Sequence, residues 1–337
     1  MRQLTALDQQ FLALEDSRHY GHVGGLAILD PSTAKGGTLT LVDIQNLIAE
    51  RLPLVPPFRW RLVEVPLNLD YGYWIDDPDF DLEFHVRELA LAPPGTDAQL
   101  ADQVARVYSR PLDRARPLWE LYLIHGLPRG RVAVMSKIHH AVIDGMSGAE
   151  ILGALLDMTP EGREAVPAPS SSAGRPGQLE LLGRGLLGLP RYPLRLLGSV
   201  PRALPNVDEV PTLSGIPGLK AAGRAMATAQ RALGRGRVVG HLNLVPPHTS
   251  FNGRVSAHRR FVFTQLPLRD VKDIKNAHRC TVNDVIVSIC AGAVRRWLVA
   301  HDELPSMPLV AQVPVSVRRG EEQGTFGNRI LLMTAPL

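Results

Sequence analysis

Two adjacent histidines precede an aspartate and a glycine in SKIHHAVIDGMSG, residues 136–148. Neutral imidazole has a pKa of about 6.5, so a histidine here could accept a proton from a hydroxyl and later return it. Asp144, four residues after His140, could orient that ring or form an ion pair elsewhere, and the spacing leaves both open. Gly145 could relieve a steric clash in the following turn. The stretch therefore predicts either a proton-handling site or a structural turn.

A metal site is the third interpretation of the histidine pair, and the pattern disfavours it. Strand-like backbone sends successive side chains to opposite faces, so His139 and His140 cannot both line one cavity. No cysteine and histidine cluster lies nearby in the sequence. In the structural alternative, His139 is hydrogen-bonded in a sheet and Asp144 caps the helix that starts near Met146. The neighbouring elements have to decide between these interpretations.

Strand and helix patterns alternate through the first 160 residues, which predicts an α/β domain. Strand patterns occur at HVGGLAIL, LWELYLIHGL and RVAVMSKIHH. The last two are joined by the turn PRG, and the last is apolar on both faces, so it is expected at the centre of a sheet. Amphipathic helix patterns occur at TLVDIQNLIAERL, TDAQLADQVARVYSRPL and MSGAEILGALLDM. Thr96 is placed to cap the second helix and Pro111 to end it.

The character of the sequence changes between about residues 160 and 250. Proline, glycine and serine predict a linker, followed by leucine-rich and arginine-rich pieces that could lie on a membrane surface or along the protein's own flank. Between Ser171 and Arg260 there are 13 basic residues against three acidic ones. This balance predicts an anionic partner, such as cofactor phosphates or lipid head groups. Nucleic acid is disfavoured, because no interleaved aromatic residues or recognised motif accompany the charge.

Regular patterns resume after residue 250. A strand is predicted at RRFVFTQLP, helices at LRDVKDIKNAHR and TVNDVIVSICAGAVRRWLVAH, and strands at PLVAQVPVSVRR and FGNRILLMTAPL. We therefore expect three segments: 1–160 with the histidine motif, a basic crossover at 161–250, and 251–337 as the first part of a C-terminal domain. The chain stops inside a strand pattern, so we expect a further segment to complete that sheet.

Composition indicates a globular protein, with 45% hydrophobic and 21% charged residues in 337. Charged residues among the first twenty disfavour a signal peptide, and no apolar run reaches the length of a membrane-spanning helix. Cys280 and Cys290 are too few for a disulfide scaffold, which favours a reducing compartment. The expected location is the cytoplasm.

The stretch HHAVIDG resembles the HHxxxDG signature of the bacterial wax ester synthase/diacylglycerol acyltransferase family, a branch of the chloramphenicol acetyltransferase-like, CoA-dependent acyltransferases. Further blocks resemble that family in the same order, from about Leu4 to Leu337: LTALDQQFLALED, HVGGLAIL, WIDDPDFDLEFHV, RPLWELYLIHGL, TVNDVIVSICAGAVRRWL and VPVSVRR with FGNRI. The resemblance implies an α/β fold of two chloramphenicol acetyltransferase-like domains, each a mixed sheet flanked by helices. Condensation domains of peptide synthetases share HHxxxDG, so a carrier-bound acyl donor is the alternative.

The resemblance also implies roles for the residues of the motif. His140 would be the general base and His139 its supporting first histidine. Asp144 would be mainly structural, directed toward an arginine, for which Arg318 in VPVSVR is the candidate. Gly145 would keep the wall of the substrate tunnel thin.

Two further motifs carry implied roles. Asn283 and Asp284 match the ND motif, which borders the tunnel in the family, and Asn283 is our candidate for the oxyanion donor. The PLW motif, tied to fold organisation and substrate passage, is matched by Pro117, Leu118 and Trp119. Structural alternatives stay open: a helix-capping pair for the ND motif, a core tryptophan in the PLW motif and a surface ion pair for the arginine.

The implied reaction transfers a long-chain acyl group from acyl-CoA to diacylglycerol or to a long-chain alcohol. Because the thioester is already activated, we expect no metal, no cofactor and no covalent intermediate, with acyl-CoA as co-substrate. The acceptor is insoluble in water, so we expect contact with the inner membrane face or with lipid bodies. Family members continue beyond the GN block, which makes a C-terminal remainder of the same protein an expected partner. A non-catalytic lipid-surface protein is the remaining alternative.

Overall fold

A computed structural model gives the fold, and it describes residues 1–142, 155–157, 159, 177, 180, 182–183, 246–316 and 330–337. The chain divides into two compact units. The first comprises residues 1–64, 71–175 and 246–337, and the second comprises residues 65–70 and 176–245. All elements that position the histidine pair belong to the first unit. The domain boundaries expected from the sequence stay a prediction.

The helices and strands before residue 140 follow in this order: β1 (Arg2–Gln3), α1 (Ala6–Ala13), β2 (His22–Leu29), α2 (Leu41–Arg51), β3 (Trp60–Val63), β4 (Tyr73–Asp76), α3 (Leu82–His85), β5 (Val86–Ala90), α4 (Asp97–Tyr108), β6 (Trp119–His125) and β7 (Val132–His139). After residue 246 come α5 (Leu268–His278), α6 (Val282–Ala300), β8 (Val310–Ser316) and β9 (Ile330–Pro336). Short 3₁₀ turns lie at Pro31–Thr33, Lys35–Gly37, Leu52–Leu54, Pro56–Arg59, Pro66–Asn68, Pro128–Gly130 and Ser250–Asn252.

The sheet that carries the histidine pair has the strand order β2-β7-β6-β5. Strands β5 and β6 are parallel, whereas β7 is antiparallel to both of its neighbours. The predicted central position of β7 is therefore confirmed, and so is the predicted pairing of β6 with β7. The other sheets among the described residues are a three-stranded antiparallel sheet, β1-β4-β3, and a two-stranded sheet, β8-β9, and the fold is mixed α/β.

Strand β7 is buried on both faces because its alternate residues join two different hydrophobic clusters. Val132 and Ile138 belong to the cluster that includes Trp119, while Ala133 and Met135 belong to the cluster formed with α4. Successive strand side chains point to opposite sides, so a run that is apolar at every position fits between two packed layers. This explains why RVAVMSKIHH lacks the alternation of a half-exposed strand.

Threonine caps start four of the helices. Thr5, Thr40, Thr96 and Thr281 each accept a hydrogen bond from the backbone three residues on, and the side chain there bonds back to the threonine N–H. Such capping boxes satisfy amide groups that the helix leaves unpaired and are typically worth about 1 kcal/mol each. The cap predicted for α4 at Thr96 is confirmed, and α5, α6, β8 and β9 lie where their patterns predict.

The prediction of a strand at RRFVFTQLP is wrong, because residues 259–267 form no strand in the described structure. Phe261 and Phe263 pack against the α4-side cluster, whereas Val262 is exposed. The alternation in exposure that a strand would have is thus present, but a strand also needs a hydrogen-bonded neighbour. The helix predicted at MSGAEILGALLDM lies almost wholly outside the described residues.

Gly24 lets α4 pack closely on β2. A Cβ atom at this position would lie 1.7 Å from the Tyr108 hydroxyl and 1.9 Å from the Ser136 carbonyl oxygen. The Tyr108 hydroxyl donates to the Ser136 carbonyl at 3.3 Å, directly beside the glycine. Gly24 is therefore a packing feature of HVGGLAIL, because a side chain here would not fit between β7 and the end of α4.

Candidate active site

The histidine pair lies where β7 ends, and backbone hydrogen bonds hold it from both sides. The N–H of His139 donates to the carbonyl of Leu118 at 2.9 Å, just before β6. The N–H of His140 donates to the carbonyl of Gly21 at 2.7 Å, just before β2. Both neighbouring strands of the sheet therefore fix the backbone of the pair. Leu118, from the PLW motif, contributes through its main chain as well as through its buried side chain.

His139 is a core residue that closes the turn after β7. Its side chain is only 1% exposed, and its Nδ1 atom accepts a hydrogen bond from the N–H of Ala141 at 3.1 Å. The N–H of Val142 donates to the His139 carbonyl at 2.9 Å. Burial lowers the pKa of His139 to about 4, so the ring is neutral at pH 7. The structural interpretation of this histidine agrees with that geometry.

His140 has the properties of a proton acceptor. The residue is half-buried, and its ring stacks on Phe11 with centroids 4.8 Å apart and planes inclined by 12°. Burial lowers its pKa below the usual range, so the ring is neutral at pH 7. No hydrogen bond joins the ring nitrogens to another side chain or carbonyl in the described part of the chain. A neutral, partly accessible imidazole of this kind can take a proton from a bound hydroxyl.

A buried carboxylate beside His139 was not predicted from the sequence. Glu15, just after α1, is 9% exposed at its side chain, and its Oε2 atom lies 3.8 Å from Nε2 of His139. Arg114 donates to the same oxygen at 2.9 Å. The only sequence signal was the acidic end of LTALDQQFLALED, an acidic residue directly after an apolar helix face. No sequence pattern linked Arg114 to Glu15, because the two residues are far apart in the chain.

Gly21 is the second residue that sequence reasoning missed. A Cβ atom at this position would lie 2.6 Å from Nε2 of His139. The backbone of Gly21 therefore passes directly over the imidazole, and a larger residue would displace the ring. Because the Gly21 carbonyl also accepts the His140 N–H, this glycine contacts both histidines.

A buried lysine ties β7 to the end of α4. Lys137 is 0% exposed, and its ammonium group donates to the carbonyl of Val107 at 3.1 Å and to the carbonyl of Arg110. The carboxylate of Glu120 lies 3.8 Å away on β6. Burial lowers the pKa of Lys137 to about 8. The lysine thus satisfies carbonyls at the C-terminal end of the helix, two residues before His139.

Trp119 is a core tryptophan, as its strand pattern alone indicated. Its ring stacks between Phe58 and His85 at centroid distances of 4.6 and 4.5 Å, and its indole N–H donates to the Phe58 carbonyl at 2.7 Å. Pro117 is buried next to it, and its carbonyl accepts the Trp119 N–H. A part in substrate passage for the PLW motif stays a prediction.

Asn283 and Asp284 are exposed in the first turn of α6. Asp284 forms the capping box with Thr281, and the hydrogen bonds from Thr281 hold the pKa of this carboxyl below its usual range. The capping interpretation is therefore confirmed for Asp284. No hydrogen bond links either residue to the histidine pair within the described ranges. The tunnel and oxyanion roles stay predictions.

Three predicted site residues, Asp144, Gly145 and Arg318, lie outside the described residues, as does most of the basic segment. Their implied roles stay predictions. Among the residues that the structure does describe, no three metal-ligating side chains come together. None of the described helices is both long and apolar enough to cross a bilayer.

Known proteins are similar to this chain over most of its length. The wax ester synthase/diacylglycerol acyltransferase catalytic domain, as a family model, matches residues 4–286. A Mycobacterium tuberculosis protein, provisionally named as a diacylglycerol O-acyltransferase, is 38% identical over 333 residues, covering 97% of this chain and 62% of that protein. The solved wax ester synthase/diacylglycerol acyltransferase of Marinobacter aquaeolei VT8 is 28% identical with a TM-score of 0.59, covering 94% of this chain and 64% of the other.

A more distant similarity extends only to the fold. The first condensation domain of the CDA synthetase gives a TM-score of 0.53 at 17% identity, covering 100% of this chain and 69% of that domain. The chain spans less than two thirds of both the mycobacterial relative and the Marinobacter protein.

Proposed function

The chain belongs to the wax ester synthase/diacylglycerol acyltransferase family, and we propose that it is an acyl-CoA-dependent O-acyltransferase with His140 as general base. The acyl acceptor is the free hydroxyl of diacylglycerol or of a long-chain alcohol. The proposal rests on family membership together with the burial and neutral charge of the His140 ring. This imidazole is neutral and half-buried at the end of a central strand, whereas its neighbour His139 is sealed in the core.

The reaction needs one proton acceptor and two aligned substrates. In this proposal, Nε2 of His140 removes the hydroxyl proton as the alcohol oxygen attacks the thioester carbonyl carbon. The tetrahedral intermediate then collapses, the carbon–sulfur bond breaks, and the imidazolium returns its proton to the CoA thiolate. General-base assistance is typically worth about 10²–10⁴ in rate, and alignment of the substrates supplies much of the rest.

The neutral state of His140 supports this role at physiological pH. An imidazole that is already protonated cannot accept the hydroxyl proton, so a base must have a pKa at or below the working pH. Burial lowers the pKa of His140, while the stack with Phe11 limits the directions in which the ring can turn. The side chain is therefore available as a base without a further activating group.

The proposed partners follow from the substrates. Acyl-CoA is the co-substrate, and no other cofactor is proposed. Because diacylglycerol and long-chain alcohols are insoluble in water, we propose contact at the periphery of the inner membrane face or of lipid bodies. A C-terminal remainder of the same protein is a further proposed partner, supported by the greater length of the relatives.

The test is an assay of labelled palmitoyl-CoA with diolein or hexadecanol as acceptor, using the full chain. Wild type should form triacylglycerol or wax ester, and His140→Ala should lose about 10²–10⁴ in rate with an unchanged circular dichroism spectrum. His19→Ala is the matched control, since His19 is an exposed histidine of the same unit that pairs with Asp16. Equal activity of wild type and His140→Ala would refute the base assignment.

Two further arms separate the alternatives. Turnover of carrier-bound acyl groups without turnover of palmitoyl-CoA would indicate a condensation-type enzyme. Vesicle binding that is the same in wild type and His140→Ala, without transfer from either donor, would indicate a lipid-surface protein.

The role of Asp144 has its own test. If this residue is structural, Asp144→Asn should lower the melting temperature and leave the rate of acyl transfer largely unchanged. A large loss of rate with an unchanged melting temperature would indicate a triad.

A further inference from the structure

The carboxylate of Glu15 is fixed in place by Arg114. One guanidinium nitrogen donates to Oε2 of Glu15 at 2.9 Å and a second at 3.3 Å, and the first also donates to the Leu12 carbonyl at 2.7 Å. A carboxylate that is removed from water requires a charged partner and saturated hydrogen bonds. Arg114 supplies the positive charge and, through Leu12, ties the carboxylate to the end of α1.

One path leads from Glu15 to the peptide group before His140. Oε1 of Glu15 accepts the N–H of Gly21 at 3.3 Å, and the carbonyl of the same glycine accepts the N–H of His140 at 2.7 Å. Both polar atoms of the Gly21 backbone are therefore used between the carboxylate and the histidine. A displacement of Glu15 would remove the hydrogen bond that orients the Gly21 peptide group, to which His140 is bonded.

A second path leads from Glu15 to the peptide group after His140. Nδ1 of His139 accepts the N–H of Ala141, so in the neutral ring the proton must lie on Nε2. That Nε2 atom is buried without a hydrogen-bond partner among the described residues, and Oε2 of Glu15 lies 3.8 Å from it. The carboxylate favours the tautomer and the ring orientation that accept the Ala141 amide.

We propose that Glu15 is a positioning residue for His140. The carboxylate holds both peptide groups that flank His140, one through Gly21 and one through the ring of His139. Phe11, from the helix that precedes Glu15, stacks on the His140 ring. The end of α1 thus sets the backbone and the side-chain direction of the base together. The positioning role rests on the proposed function, because it concerns His140 as the base.

A purely structural ion pair would have different consequences from a positioning residue. Loss of a structural pair lowers the fraction of folded protein and leaves the turnover of each folded molecule unchanged. Loss of a positioning residue misaligns the base, which lowers kcat at saturation, while KM for acyl-CoA changes little because substrate binding uses other groups. The measured quantity is therefore kcat per folded molecule together with KM.

The kinetic experiment compares Glu15→Ala, Glu15→Gln and Glu64→Gln with wild type, using palmitoyl-CoA and diolein. Glu64 is the matched control, because its carboxylate lies 3.9 Å from the same Arg114 but is 66% exposed. We expect kcat of Glu15→Ala to fall about 10²-fold, as a small misplacement of a catalytic group can do. Glu15→Gln should lose less, since its amide oxygen can still accept the Gly21 N–H, and Glu64→Gln should match wild type.

Two kinetic outcomes would overturn the positioning role. One is an unchanged kcat in Glu15→Ala, and the other is an equal fall in Glu64→Gln. If Glu15→Ala does not fold, Glu15→Gln decides instead: a lower kcat with KM retained supports the role, and wild-type kcat overturns it.

A spectroscopic arm is independent of turnover. In ¹⁵N-histidine-labelled protein, two-bond ¹H–¹⁵N couplings report the tautomer of each ring. We expect His139 with its proton on Nε2 and a single His140 environment in wild type and Glu64→Gln, and changed signals for both rings in Glu15→Gln. Unchanged signals would overturn the role. If wild type transfers no acyl group, the proposed function fails, and these spectra alone decide whether Glu15 positions the two histidines.

Discussion

The phenyl ring of Phe11 lies against the imidazole of His140, with centroids 4.8 Å apart and planes inclined by 12°. Phe11 belongs to α1 at the start of the chain, whereas His140 follows the central strand of the four-stranded sheet. The contact covers one face of the imidazole and so contributes to the burial that lowers its pKa. It also restricts rotation of the ring about its side-chain bonds.

Replacing Phe11 should move the pH dependence of acyl transfer. In Phe11→Ala the imidazole of His140 becomes more exposed, and its pKa rises toward about 6.5, the value of a solvated histidine. Because the base must be neutral, activity is lost as pH falls through this pKa, so the acid limb of the kcat profile should shift to higher pH. Phe251→Ala, which removes an exposed ring that contacts Trp297 at an interplanar angle of 37°, is the control. An acid limb that stays in place contradicts the role of the stack.

Gly21→Ala should destabilise the protein, whereas Gly25→Ala should not. The new Cβ at Gly21 would lie 2.6 Å from Nε2 of His139, while at Gly25 the nearest atom is the Ser136 hydroxyl oxygen at 3.5 Å. Forcing an atom into a packed site typically costs about 1–3 kcal/mol, but an ordinary contact costs little. Urea unfolding of both variants measures the difference. Equal free energies of unfolding would show that the His139 ring yields freely.

Lys137→Met should lower the free energy of unfolding by about 1–3 kcal/mol, the range for leaving a buried polar group without its hydrogen-bond partner. Methionine has a similar shape, but it leaves the Arg110 carbonyl without its ammonium donor. The Val107 carbonyl keeps the backbone N–H of Arg110, and Glu120 keeps Arg87 and Tyr122. Thermal or urea unfolding provides the measurement. Lys272→Met, on the exposed surface of α5, serves as the control. A loss no larger than that of the control would mean that the ammonium group adds nothing to stability.

Stability should fall with acid because the buried His139 and the half-buried His22 resist protonation. Burial lowers the pKa of His139 and of His22 from 6.5 to about 4. Between these values the unfolded chain binds protons that the folded chain does not, so the free energy of unfolding decreases as pH falls through that window. The slope is at most about 1.4 kcal/mol per pH unit for each histidine.

His139→Asn separates the contribution of His139 from that of His22. Its amide oxygen can replace Nδ1 as acceptor for the Ala141 amide, but it does not titrate. Urea unfolding between pH 4 and 6.5 should therefore show a shallower pH dependence in this variant than in wild type. The same slope in both proteins would mean that His139 is not the titrating group.

Local patterns predicted the elements whose formation depends on nearby residues. The strands β2, β6 and β7 and the helices α2, α4, α5 and α6 follow from apolar periodicity, and threonine caps mark where four helices begin. The strand prediction at RRFVFTQLP was wrong because a strand also depends on residues that are distant in the chain. Its residues alternate in exposure, but pairing with another strand is a long-range property that periodicity does not contain.

The sequence by itself placed two adjacent histidines at the end of a buried central strand pattern, and its motifs indicated the family. Only the tertiary structure decided how the two rings differ. The end of α1 and the chain before β2 bury His139 beneath Glu15 and Gly21 and leave His140 partly accessible against Phe11. Burial and charge pairing depend on contacts between residues that are distant in the chain. The residue spacing within the motif does not predict those contacts.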